Sequence, residues 1–148
     1  MPGWPFLTDT VRVVRIAFGT DEETSLAEVV VCHLREQGHE VVELGRGADW
    51  PEVGRQVGEE VAAGQSKRGV VCCWTGTGVS IAANKVAGVR AALCTDAETA
   101  RGARRWNDAN VLAMGLRLTS PELAREMLDA FLETDVDANE IPNIGRVG

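Results

Sequence analysis

Val70–Asn84, VVCCWTGTGVSIAAN, runs from an apolar strand-like segment through two adjacent cysteines into a Thr-Gly-Thr-Gly turn, and from there into the small residues of a helix start. A strand that ends in such a turn and feeds a helix aims free backbone amides and the positive end of the helix dipole at one point, where an anion sits well. Neither common phosphate loop is present: G-x-x-x-x-G-K-[ST] is absent, and no G-x-G-x-x-G follows the first strand. A nucleoside triphosphatase is therefore disfavoured. The same helix end favours a nearby thiolate, which makes Cys73 a candidate base or nucleophile. The plain alternative is that Cys72 and Cys73 are small core residues, and for Cys72 the core reading is preferred.

Outward from this stretch, the chain alternates strands and helices. Val11 to Phe18 is β-branched and stops at Gly19, and Thr24 to Gln37 carries Leu26, Val29, Val30 and Leu34 at helical spacing before Gly38. His39 to Leu44 reads as a second strand. Pro51 then opens a helix with Val53, Val57 and Val61 that ends at Gly64. Val70 to Trp74 is the third strand, followed by helix Val79 to Val86, strand Val89 to Cys94, helix Ala97 to Trp106 and strand Val111 to Met114. Ser120-Pro121-Glu122 starts a last helix with an N-cap and a first-position proline. The pattern predicts an α/β fold, a Rossmann-like three-layer arrangement with a parallel sheet covered on both faces. Ligands in such sheets bind outside the strand carboxyl ends, where Gly19 to Asp21, Cys73 to Gly78 and Thr95-Asp96 fall.

With 148 residues the chain reads as a single domain, 1–148. Residues 1–10 and 134–148 are expected to be flexible or dimer-docking arms. The net charge of −7 and the pI near 4.8 argue against nucleic acid or an anionic membrane as partner. The start has no basic region followed by an apolar stretch, and no run approaches membrane-spanning length, so a cytoplasmic protein is expected. Cys32, Cys72, Cys73 and Cys94 lack the density of a disulfide framework. With His33 and His39 as the only imidazoles, no metal and no cofactor are expected.

The runs GVVCCWTGTGVSIAANKVAGVRAALC, WNDANVLAMGLRL and SPELAREMLDAFL together resemble the ribose-5-phosphate isomerase type B family, which includes the galactose-6-phosphate isomerase subunits. The resemblance implies a five-stranded parallel sheet, a homodimer or dimer of dimers with sites between subunits, and metal-free interconversion of an aldose phosphate and a ketose phosphate. It places Cys73 at the position of the base. Thr75 and the amides from Trp74 through Gly76 and Thr77 to Gly78 match the turn that stabilises the enediolate oxygen. Asn107 and Arg117 fall at polar substrate contacts and are expected to reach the neighbouring subunit's site. Arg146 matches the second arginine of a tail that grips the substrate phosphate, and Asp21 matches the aspartate after the first strand.

Four departures from the family pattern bear on function. Asp-His after the first strand is here Asp21-Glu22, and the histidine expected before Asn-Asp, which opens the sugar ring, is Trp106. The first tail arginine is replaced near Asn143. Trp74 stands at a position that is normally glycine, where an indole narrows the site or enters the dimer interface. Glu22 reads either as an acid or base replacing the imidazole or as a helix-dipole partner in a first helical turn. Arg104-Arg105 reads as a solvated face in preference to a phosphate reader. His33 and His39 read as structural or surface residues. Two functions follow: an isomerase of a sugar phosphate, with a short or acyclic one as the leading candidate, or a non-catalytic sugar-phosphate-binding or subunit-like protein that keeps the fold and the anion turn.

Overall fold

A computed structural model describes residues 12–148. Its sheet has five strands, β1 (Arg15–Thr20), β2 (Glu40–Glu43), β3 (Arg68–Cys73), β4 (Ala91–Leu93) and β5 (Val111–Gly115), all parallel and ordered β2-β1-β3-β5-β4. The helices between them are α1 (Ser25–Glu36), α2 (Trp50–Ala62), α3 (Thr77–Asn84), α4 (Ala97–Asn107) and α5 (Pro121–Glu133). Strand order runs one way from β1 to β2 and the other way from β3 to β5. The crevice therefore opens between the carboxyl ends of β1 and β3, where the order reverses.

Strand alternation divides the core into two halves. Ile16, Phe18, Val70, Cys72, Leu112 and Met114 face α1, α4 and α5, against Val30, Leu34, Ala103, Met127 and Phe131. Ala17, Val71, Cys73, Val111 and Ala113 face α2 and α3, against Val53, Val57, Val79 and Ala83. Because successive side chains point to opposite faces, Cys72 and Cys73 enter different halves. Fully burying a Val, Leu or Phe side chain contributes about 1.5–3 kcal/mol, and these two layers hold the strands whose ends build the site.

The elements follow the expected order, with shifted ends. The structure starts α3 two residues earlier than the apolar pattern places it, because the turn passes straight into the helix at Gly76. β1 begins at Arg15, and residues 12–14 precede it outside any strand. Residue 11 and the proposed arm at 1–10 lie outside the described residues. Within the arm expected at 134–148 the chain forms a 3-10 turn, Ala138–Glu140, and a one-turn helix α6, Ile141–Ile144. Asp137 explains this locally, since its side chain accepts from the Asn139 amide at 2.9 Å and its own amide donates to the Arg105 carbonyl at 2.8 Å. Among the described residues, no helix is long and apolar enough to cross a membrane.

Candidate active site

Cys73 is the last residue of β3 and is 5% exposed, buried in the core half that faces α2 and α3 but at the carboxyl end of the strand, where the turn begins. Cys72 beside it is fully buried, and burial pushes its thiol well above the ordinary range. The core reading of Cys72 holds. The carbonyls of Cys73 and Trp74 accept from the Leu116 and Arg117 amides, each at 2.9 Å, which ties the turn to the chain leaving β5.

The turn itself is built on glycines. Gly76 adopts φ +81°, a left-handed conformation that L side chains rarely take, and a Cβ there would lie 2.6 Å from Leu93 and 2.9 Å from the Gly115 amide. Gly115 returns the fit, since its Cβ would meet the Thr75 carbonyl oxygen at 2.7 Å. As N-cap of α3, Gly76 offers no side-chain acceptor to the helix. The first-turn amides are therefore available to an anion. Thr75 and Thr77 hold each other through their hydroxyls at 2.8 Å, which keeps two further polar groups at the mouth.

The loop after β1 forms the opposite wall. The Asp21 amide donates to the Cys72 carbonyl at 3.3 Å, setting this carboxylate across from the thiol-bearing strand. Its Oδ1 is buried with no hydrogen-bond partner among the described residues. Burial raises the Asp21 carboxyl above its usual range, repulsion from Glu22 and Asp49 adds to the rise, and backbone hydrogen bonds at Asp21 and Glu22 oppose it. An orphaned carboxylate oxygen in a crevice calls for a donor, and a sugar hydroxyl is one. Glu22 is exposed and lies before the helix, whose N-cap is Thr24, so its reading as a first-turn helix-dipole partner is corrected. The Thr20 hydroxyl donates to its carbonyl at 2.8 Å, fixing the loop from within.

Two residues of this wall escaped the sequence reading. Trp50, at the start of α2, lies against the turn: a Cβ on Gly78 would sit 2.9 Å from its ring. The available signal was position, since Trp50-Pro51 follows the carboxyl end of β2. Arg46 bonds Glu23 at 2.5 Å, Glu28 at 2.7 Å and Glu43 at 2.5 Å, while its guanidinium lies 5.9 Å from the Phe18 ring centroid. It clamps the β1 loop to the β2 loop, and no spacing in the sequence points to that.

The remaining candidates separate into two groups. Trp74 and Arg117 line a cavity of about 240 Å³ with Thr75, Leu93, Cys94 and Gly115, at the same end of the sheet as Cys73. Arg117 thus stands beside its own chain's turn. The surface next to Gly78 is covered by Trp50, whereas Trp74, half exposed, faces the β4–β5 side. Trp106 and Asn107 lie at the other end of the sheet, with Arg90, Asn143 and Ile144 around a cavity of about 610 Å³. Arg146 follows α6 in the same segment, its amide donating to the Asn143 carbonyl at 3.0 Å. The solvated-face reading fails for Arg104, which is 3% exposed and bonds Asp108 at 2.8 Å, the Ala109 carbonyl at 2.7 Å and the Thr134 carbonyl at 3.1 Å. Both histidines are structural. His33 bonds Asp129 at 2.7 Å, and Nδ1 of His39 accepts from the Val14 amide at 3.2 Å.

A doubly wound sheet whose switch point holds a thiol, an uncapped amide turn and a carboxylate oxygen with no partner among the described residues defines an α/β protein with a crevice for a small polyhydroxylated anion. The chain belongs to the Ribose/Galactose Isomerase family, which matches residues 16–147 and so takes in the tail as well as the sheet. It is 43% identical over 123 residues to ribose-5-phosphate isomerase B of Escherichia coli, covering 80% of this chain and 83% of that one. To D-erythrulose-4-phosphate isomerase of Pectobacterium atrosepticum it is 33% identical over 143 residues, covering 92% and 94% of the two chains. A solved structure of Clostridium thermocellum ribose-5-phosphate isomerase B superposes with a TM-score of 0.86 at 37% identity, over 90% of this chain and 95% of that one. These likenesses favour a sugar-phosphate isomerase over a non-catalytic binding protein.

Proposed function

We propose that this aldose–ketose isomerase works through a cis-enediol with Cys73 as its base. The Cys73 thiolate takes the proton from the carbon beside the carbonyl, and the charge that develops on the carbonyl oxygen is met by the free amides up to Gly78 and the Thr75 hydroxyl. The hydroxyl proton then passes between the two enediol oxygens, and the Cys73 thiol returns its proton to the carbon that was the carbonyl, leaving the thiolate. Each donor to such an oxyanion is worth about 3 kcal/mol at the transition state. Asp21 orients a substrate hydroxyl, and Trp50 covers the turn against water.

The substrate we propose is a short, acyclic sugar phosphate, with a four-carbon keto-phosphate leading. The observation that carries this is the place of the imidazoles: the chain has two histidines, and both are held within the fold away from the crevice. A pentose phosphate is mostly cyclic and needs an acid or base to open it. A tetrulose 4-phosphate cannot close a five-membered ring, because its terminal oxygen is esterified. The likeness to D-erythrulose-4-phosphate isomerase over nearly the whole chain supports the same reading. The active unit in this proposal is a dimer, since Trp106, Asn107 and Arg146 stand too far from Cys73 in one chain to meet its substrate. Free cysteines, one of them exposed, fit a cytoplasmic setting. The test is kcat/KM for erythrulose 4-phosphate against ribose 5-phosphate, the pentose phosphate alternative. The wild type is expected to prefer erythrulose 4-phosphate and Trp106→His to gain on ribose 5-phosphate; a wild-type preference for ribose 5-phosphate overturns the four-carbon assignment.

A further inference from the structure

At the amino ends of β1 and β3, about 17 Å along β3 from Cys73 at a rise of about 3.3 Å per residue, lies a second cavity of about 390 Å³. Arg12, Lys67, Arg68, Thr134 and one carboxylate residue, Asp135, line it, with Val13 and Leu132 among its apolar walls. Charge is unbalanced here. Arg12 is committed to Asp135, Arg15 to Glu40 and Glu60, and a single Asp108 is shared by Arg90 and Arg104. Arg68 is half buried, and among the described residues its guanidinium donates only to the Lys67 carbonyl, at 3.0 Å. Among the described residues, no carboxylate lies within ion-pair distance of Lys67 or Arg68. Burial and then Arg104 and Arg90 pull the Arg68 guanidinium down to about 10, against partial opposition from Asp108 and Asp135, so it stays charged at neutral pH. A partly desolvated cation without a counter-ion is unfavourable to the fold, and an anion in the cavity would supply the missing charge. In a chain of net charge −7 this local excess is not a general property of the surface.

We propose that this cavity is a second anion site, distinct from the isomerase crevice, that takes the phosphate group of a small phosphorylated metabolite on Arg68 and Lys67. Arg68 offers its planar fork to the oxygens and Lys67 adds an exposed point charge. The volume exceeds that of a bare oxyanion, and the apolar walls suit a short carbon body.

The test is a titration of the full chain with inorganic phosphate, at constant ionic strength in chloride, followed by backbone amide NMR, and repeated with glycerol 3-phosphate. Saturable shifts are expected at Lys67, Arg68, Thr134 and Asp135, separate from any at Trp74 to Gly78, with tighter binding of glycerol 3-phosphate. Arg68→Gln should abolish the first set and keep the second, with isomerase activity unchanged. Lys67→Gln, at an exposed position that the fold does not need, should weaken the first set several-fold. Shifts confined to the Trp74–Gly78 turn, or shifts at Lys67 and Arg68 that survive both substitutions, overturn the proposal. Binding of phosphate without any gain for glycerol 3-phosphate overturns the metabolite assignment.

Discussion

The two ends of the sheet treat their polar groups differently. At the amino end, several polar groups are paired within the fold: Arg104 satisfies two carbonyls and a carboxylate, His33 meets Asp129, and Asp108 closes α4 in a left-handed conformation. At the carboxyl end, the polar groups stay open: the α3 amides have no side-chain cap, and Asp21 Oδ1 has no partner among the described residues. Folding alone would satisfy such groups, because leaving one unpaired typically costs about 1–3 kcal/mol. What a fold leaves unpaired in a crevice is what it holds ready for a ligand, and the same criterion singles out Arg68 at the amino end.

Adjacent thiols give the sharpest way to break this contrast. Cys73→Ala should lower kcat about 100-fold to 10,000-fold with little change in melting temperature, since it removes the general base. Cys72→Ala, one residue away on the closed face, should retain turnover and lose about 1 kcal/mol of stability. The two variants are separated by steady-state assay and denaturant titration, and near-normal turnover by Cys73→Ala would exclude it as the base.

The division of site residues between the two ends predicts subunit exchange behaviour. Mixing inactive Cys73→Ala with inactive Asn107→Ala chains should restore part of the activity, because one site of the mixed dimer draws each good residue from a different chain. Cys73→Ala mixed with Arg117→Ala should restore none, since both residues lie at the same end of one chain. Equal recovery in both mixtures, after exchange is confirmed by mass spectrometry, would dissolve the distinction.

At the amino end, Arg104→Met should cost about 2 kcal/mol or more, because Asp108 and two carbonyls lose a buried donor. Activity per folded chain should not change, which a chemical denaturation series paired with an assay would establish. A loss of turnover without a loss of stability would move Arg104 into the site.

The smallest effect expected is electrostatic. Asp21 has its folded-state pKa raised, so its carboxylate penalises the fold above that pKa, and the penalty vanishes as pH falls below the ordinary value of 3.8. Asp21→Asn should therefore raise the melting temperature at pH 7 by an amount that shrinks to nothing near that lower limit, while activity falls. A constant offset across pH would assign the effect to something other than ionisation.

How far the sequence carried differs between fold and site. Periodicity located every strand and the five main helices to within a few residues, because burial on two faces writes the same apolar pattern into each βα unit. The short turns within the tail were not legible, since Asp137 and Pro142 act locally over too few residues to produce a periodic signal. Arg104 was misread for a different reason: an arginine in a charged run looks solvated until its distant partner at Thr134 is known. Trp50 was missed because its contact with Gly78 joins segments separated by a strand and a helix.

By itself the sequence determined the alternation of elements, the place of the thiol at a strand end and the glycine turn that follows it. Each of these is local: side-chain period, cap chemistry and positive φ act over a few residues. Only the tertiary structure decided that Cys72 and Cys73 enter opposite halves of the core, that Arg117 stands with the turn while Asn107 stands at the far end, and that among the described residues Asp21 Oδ1 has no hydrogen-bond partner and Arg68 no carboxylate at ion-pair distance. Those outcomes depend on strand order and on which charges are already paired, and such quantities exist only once distant segments have packed together.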